Sequence, residues 1–216
     1  GRPAPLMVYG PTGVGEVTSA VNAGYRLDRI YCTGHHGEAL LPPALGVLQH
    51  KTIAPGVILE DGDLKITAYA TEHPPIEPAV GYRFDYRGRS VVISGDGNVN
   101  GDTREIVDDL DLLLHDALSV PTVTALSEAL GAAERPRQSK IVADVLDYHA
   151  STDALIELGE QSNVDMVAFY HLVPVPLNDV LEDVFKRGMP DNFLLAKDLM
   201  WFDLPIDSDE IIVNVP

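Results

Sequence analysis

Short apolar runs closed by glycine or proline alternate along this chain with longer stretches of helical spacing. PLMVYG predicts a strand stopped by Gly10, Pro11 and Gly13, and Val17, Val21, Tyr25 and Leu27 space a helix from Glu16 to about Ile30, with Gly24 as its weak point. CTGHHGEALLPPALG, with two prolines and three glycines, predicts a surface loop. GVILEDGDLKITAYATEH alternates as two strands joined around Asp61 and Gly62, and GYRFDYRGRSVVISGD repeats the pattern with a turn at Arg87 and Gly88. TREIVDDL then predicts a short helix, DLLLHDAL a buried strand, and SKIVADVLDYH an amphipathic helix ending at His149. Ser151 or Thr152 caps the next helix, in DALIELGEQS. VDMVAFYH reads as the final core strand, LNDVLEDVFKRG as a helix closed by Gly188, and NFLLAKDLMWFDLP as a terminal β pair. No internal repeat or low-complexity tract interrupts this order, so the expectation is a single α/β domain over residues 1–216.

Composition supports a packed core, since 45% of the 216 residues are hydrophobic. Charge narrows the partners. Thirty-three acidic against fifteen basic residues give a net charge of −18, which opposes binding to a polyanion and favours small or neutral substrates over nucleic acid. Bound divalent cations would offset part of that charge close to a site. The single Cys32 excludes an intrachain disulfide and a thiolate-rich zinc site. No run approaches a membrane span, and GRPAPLMVYGPTG lacks the basic start and apolar core of a signal peptide, so cytoplasm and periplasm both stay open. A first residue other than Met points to processing or a fragment.

Candidate chemistry sits at the ends of the runs: His73, Asp96, His115, His149 and His171 each close an apolar segment. Strand ends in a layered α/β fold converge on one rim, where ligands distant in sequence can meet. Neutral imidazoles and a carboxylate are the donors that hold a catalytic zinc while leaving room for water. Taken singly, each histidine is explained as a hydrogen-bonded structural residue, and Asp96 as shaping the SGDG turn.

In order, VYGPTG, TEHPPIEPAVGYRF, RSVVISGDG, LLLHDAL, YHASTDALIELGEQ and VAFYHLVP resemble the metallo-β-lactamase superfamily, and within it the ribonuclease Z-like and arylsulfatase-like hydrolases. The series covers about positions 6 to 176. The resemblance implies an αββα sandwich. It also implies metal ligands at His73, Asp96 and His171, with Asp96 bridging two metals, and His149 as proton donor to the leaving group. HDAL stands where the family has His-Glu-Ala-Thr, so Asp116 keeps the carboxylate one methylene shorter and takes a supporting role, orienting an imidazole, with His115 as its structural neighbour. His35 and His36 resemble loop sequences of some members, but adjacent side chains on a turn diverge, which argues against a ligand role.

The superfamily's His-x-His-x-Asp-His motif, which supplies the remaining ligands and precedes VYGP, does not occur in this sequence. The resemblance therefore maps to the later part of a larger domain, with the N-terminal part missing, and the expectation is an upstream segment rather than a degenerate site. A completed site implies two zinc ions, with manganese or iron as alternatives, about 3.5 to 4 Å apart and activating a bridging water. Transfer-RNA processing relatives carry a long basic arm, whereas only Arg87 and Gly88 join the strands here. With the net charge, that favours a small-molecule ester (aryl sulfate, phosphodiester or lactone) over precursor transfer RNA. Ribonuclease Z activity and a non-catalytic binding domain are the alternatives, and a homodimer is what the resemblance implies for assembly.

Overall fold

Strand β1 (Leu6–Gly10) stops where Gly10 lets the following helix come close: a Cβ there would lie 2.8 Å from Val14 Cγ2. In the computed structural model, which describes residues 2–215, contacts divide the chain into two compact units, Gly1–Ala54 and Pro55–Pro216. In the first, α1 (Val14–Gly24) and α2 (Arg26–His36) follow β1 and lead through a 3-10 turn to β2 (Leu48–Thr52), which pairs parallel to β1. The Asn22 amide fastens α1 to β2, donating to the Leu48 carbonyl at 2.9 Å and accepting from the Leu48 amide at 2.8 Å. Two helices replace the one expected because the first ends at Gly24. The second continues through CTGHH, which was expected as loop, since the breakers Gly37, Pro42 and Pro43 all lie beyond His36.

The second unit carries a seven-stranded sheet built from β3 (Gly56–Asp61), β4 (Leu64–His73), β5 (Ile76–Tyr86), β6 (Arg89–Ile93), β7 (Leu110–Leu118), β8 (Val164–Val173) and β9 (Phe193–Leu195), in that spatial order. Alternating apolar residues and two-residue turns make the first four strands antiparallel; Arg87 (φ 48°) and Gly88 (φ 79°) both take the left-handed conformation that a tight hairpin between twisted strands requires. From β6 onward the pairing is parallel, so each connection needs a crossover. These are α3 (Gly101–Ile106), then α4 (Val120–Ala132), α5 (Pro136–Asp144) and α6 (Thr152–Gln161) together, and finally α7 (Asp179–Phe185). The consequence for function is directional. Strands β4, β6, β7 and β8 run the same way, with β5 reversed between β4 and β6, so their C-terminal ends share one rim.

Near-continuous apolar runs in β7 and β8 bury both faces, as parallel strands under crossover helices do. Leu113, Val167 and Phe169 meet Leu155 and Leu158 of α6 and Phe185 of α7, and the Phe169 and Phe193 rings pack edge to face at 5.7 Å. Two expectations are corrected. NFLLAKDLMWFDLP does not pair with itself: β9 extends the large sheet beyond VDMVAFYH, and β10 (Trp201–Asp203) pairs with β11 (Ile212–Asn214). The helix expected to end at His149 stops at Asp144 and passes through a 3-10 turn at Val145–Asp147. Among the described residues no helix is long and apolar enough to cross a membrane.

Leu113 is fully buried at the centre of this core. Leu113→Ala should cost about 2–5 kcal/mol and lower the urea midpoint, whereas Leu126→Ala, on the exposed face of α4, should change stability by less than about 0.5 kcal/mol. Equal shifts for the two variants would contradict this placement of the core.

Candidate functional site

His73 is the last residue of β4, and its ring lies 4.8 Å from Tyr148 and 5.4 Å from His149. Its Nδ1 is buried without a hydrogen-bond partner, a costly state for an imidazole nitrogen and one that marks it as available to a ligand. After β6, Ser94-Gly95-Asp96-Gly97 turns tightly against β4 and β5. A Cβ on Gly97 would stand 2.3 Å from Thr71 Oγ1, and one on Gly95 3.0 Å from the Val80 carbonyl, so glycine is needed at both places. The Asn98 amide donates to the Glu72 carbonyl at 2.8 Å, fixing the loop to the end of β4. Asp96 is thereby held at the rim, 42% exposed, with Oδ2 3.4 Å from Nε2 of His171.

His171 reaches that position through a defect in β8. Tyr170 stands opposite Asp116 and Leu172 opposite Ala117, leaving His171 as an extra residue in left-handed conformation (φ 43°). Such a bulge re-aims a side chain at a local cost in strain, and it lies beside the other candidate residues. Alternation alone would have placed His171 by its neighbours, and no turn residue signals the bulge.

Asp116 lies at the rim end of β7 with its side chain fully buried. Oδ2 accepts from Nδ1 of His149 at 2.7 Å, Oδ1 stands 2.9 Å from Nδ1 of His115, and the Gly97 amide donates to Oδ1 at 3.3 Å. The shorter Asp in place of the family's Glu thus still reaches the histidine. His149 is 7% exposed and is anchored beside β7, because the Leu118 amide donates to the neighbouring Ala150 carbonyl at 2.7 Å. Ser151 caps α6, accepting from the Ala154 amide at 3.2 Å, and Asn98 Nδ2 donates to the Asp147 carbonyl at 2.8 Å. The His149 and His171 rings lie 5.4 Å apart.

Around this carboxylate the phenols stay protonated. Burial pushes the Tyr69 hydroxyl well above its ordinary pKa, with Tyr170 and then Asp116 adding to it, and burial likewise raises Tyr170, whose hydroxyl donates to the Gly95 carbonyl at 3.2 Å. Tyr148, between His73 and His149, was not singled out by the pattern of the chain; its position directly before His149 was the available signal. His35 and His36 end α2 as exposed residues with rings 4.6 Å apart.

The rim therefore gathers His73, Asp96, Asp116, His149 and His171, with His115 behind Asp116. Asp96 and His171 form a pair, while His149 is turned to Asp116. Among the described residues no group of three or more His, Cys, Asp or Glu side chains is arranged to hold a metal ion. The donor chemistry, imidazole and carboxylate beside an unpartnered Nδ1, still fits a zinc-type ion.

No family model matches the chain. It is 30% identical over 172 residues to a putative ribonuclease Z of Mycobacterium tuberculosis (strain CDC 1551 / Oshkosh), covering 80% of this chain and 70% of that one. It spans 56% of the length of the ribonuclease Z relatives from Mycobacterium avium and Mycolicibacterium paratuberculosis, at 28% identity. Human tRNase Z, short form, superposes with a TM-score of 0.58 at 16% identity over 95% of this chain and 70% of that chain. A metallo-β-lactamase fold protein from Bacillus subtilis gives 0.56 at 15% identity over 89% and 63%.

The expectation of a small-molecule ester partner, with nucleic acid opposed by charge, is corrected by these relatives, which are named for ribonuclease activity. Net charge sums the whole chain, whereas exposed charges more than about 8–10 Å apart are largely screened at physiological salt, so the total does not set the field at one rim. By sequence and by fold, the chain belongs to the ribonuclease Z family of the metallo-β-lactamase superfamily.

Proposed function

We propose that the protein acts as a ribonuclease Z-type, metal-dependent endonuclease that cuts a phosphodiester in transfer-RNA precursors. The observation that carries this reading is the buried Asp116–His149 pair standing at the same rim as Asp96, His171 and the free Nδ1 of His73. Family membership supports this substrate class. Asp96 and His171 would hold the metal, with His73 as a further donor, and zinc suits these donor types. A metal bound there supplies Lewis acidity and a hydroxide near neutral pH.

The remaining work falls to the chain's own groups. Asp116 accepts a hydrogen bond from Nδ1–H of His149, which leaves Nε2 as the nitrogen that can face substrate. When His149 is protonated, the buried carboxylate steadies the imidazolium and Nε2–H is the proton delivered to the leaving ribose oxygen. Burial of both partners keeps water from competing for that hydrogen bond and strengthens it. The Gly97 amide donates to the other carboxylate oxygen, so Asp116 cannot rotate away from His149 without leaving a buried donor unmatched.

Incubated with zinc or manganese and a 3′-extended transfer-RNA precursor, the protein should make a single cut. His149→Ala should lower turnover by roughly 10²–10⁴-fold while elemental analysis shows unchanged metal content. Absence of any cut by metal-loaded protein would overturn the reading in favour of a binding domain. Asp116→Ala leaves the buried Nδ1 of His149 without its acceptor and should cost about 1–3 kcal/mol in urea unfolding. Because Asp116 acts through His149, the double variant should turn over no more slowly than His149→Ala alone. Independent, multiplying losses would place Asp116 outside the proton-delivery unit.

A further inference from the structure

The crossover between β7 and β8 is longer than a single helix requires, and the surplus is the α4–α5 hairpin, rooted between Asp116 and His149. The hairpin is stiff. Ser127 and Ser139 exchange hydrogen bonds across it, each hydroxyl donating to the other residue's carbonyl at 2.9 Å. Its tip is closed by the Glu134 amide donating to the Gly131 carbonyl at 3.1 Å and the Arg135 amide to the Leu130 carbonyl at 2.9 Å, with Glu134 in left-handed conformation.

That tip departs from the charge of the rest of the chain. Between Glu128 and Asp144 lie Arg135, Arg137 and Lys140 against the single carboxylate of Glu134, in a protein of net charge −18. Lys140 is engaged by Asp144 at 2.8 Å. Most cations of the second unit are similarly paired, and among its described residues only Lys65, Arg135, Arg137 and Arg187 have no carboxylate within ion-pair distance. Two of those four therefore sit within three residues of each other, exposed, at the end of a rigid strut.

We infer that the tip of the α4–α5 hairpin is a phosphate-contacting arm for the RNA substrate, with Arg135 and Arg137 binding backbone phosphates away from the bond that is cut. This rests on the ribonuclease reading and names where the polyanion is held. At 1.5 Å per residue, the thirteen residues of α4 carry the tip about 20 Å from the root. A substrate that reaches both the tip and His149 must be a polymer. Guanidinium groups suit the task, since each can give two parallel hydrogen bonds to a phosphate, and a strut already ordered before binding loses little freedom on contact. The contacts carry no base information, so they position the RNA rather than select its sequence.

The test is binding of fluorescein-labelled mature transfer RNA to the full chain, measured by anisotropy across a salt series, so that no cleavage is needed. Arg135→Ala/Arg137→Ala should weaken binding by on the order of tenfold at low salt and reduce the slope of log affinity against log salt by about 2, whereas Glu134→Lys should steepen it by about 1. With precursor RNA, the double alanine variant should raise KM and leave kcat at saturation unchanged. A wild-type protein that binds and cuts RNA while the arginine variant keeps its slope and KM overturns the arm alone. A wild-type protein that neither binds transfer RNA nor cuts the precursor overturns the ribonuclease reading and the arm with it.

Discussion

A carboxylate with no exposed surface must find partners for both oxygens or lose several kcal/mol, and Asp116 finds them on two separate segments. Gly97 belongs to the loop that presents Asp96 and His149 to the segment entering α6, while His115, the neighbour of Asp116 on β7, binds its main-chain carbonyl through Nδ1 at 2.9 Å. Meeting the carboxylate's needs therefore fixes the relative placement of the loop, the strand and the proton-donating ring. The Ser94 hydroxyl joins the same network by accepting from the Asp116 amide at 3.3 Å. One buried charge thus does for the rim what the Leu and Phe packing of β7 and β8 does for the sheet beneath it.

Strand direction supplies the second constraint. The hairpin turns at Gly62 and at Arg87–Gly88 were legible because they interrupt period-two alternation with residues that accept positive φ, and the second, together with the turn at Pro74 and Pro75, makes β4 and β6 run alike. Once β7 and β8 read as continuous apolar runs, parallel pairing under helices follows, and the C-terminal ends bearing His73, Asp96, Asp116 and His171 collect together. The bulge at His171 was hidden, since it depends on register against β7, which no local pattern encodes. The second half of helix α2 was hidden for another reason: no residue of the helix is buried, and Gly34 within CTGHH weighs toward a loop. The pairing of β9 with β8 rather than with its sequence neighbour is likewise a long-range choice made by the Phe193–Phe169 contact.

Charge misled because it was read as a total. Acidic residues spread over the surface set solubility and long-range repulsion, but recognition of a phosphate chain is decided where cations stand unpaired. In the second unit those positions are few, and the hairpin between β7 and His149 holds two of them. Placing them on the connection that delivers the proton donor couples substrate positioning to the same segment that performs the transfer.

The most direct test of the Asp116–His149 arrangement is the tautomer of His149, read from long-range proton–nitrogen correlations of the imidazoles at a pH where the ring is neutral. The proton should reside on Nδ1, held by Asp116, and Nε2 should be bare. A neutral His149 carrying its proton on Nε2 would contradict it, since Asp116 would then face a lone pair and could not be what orients the ring.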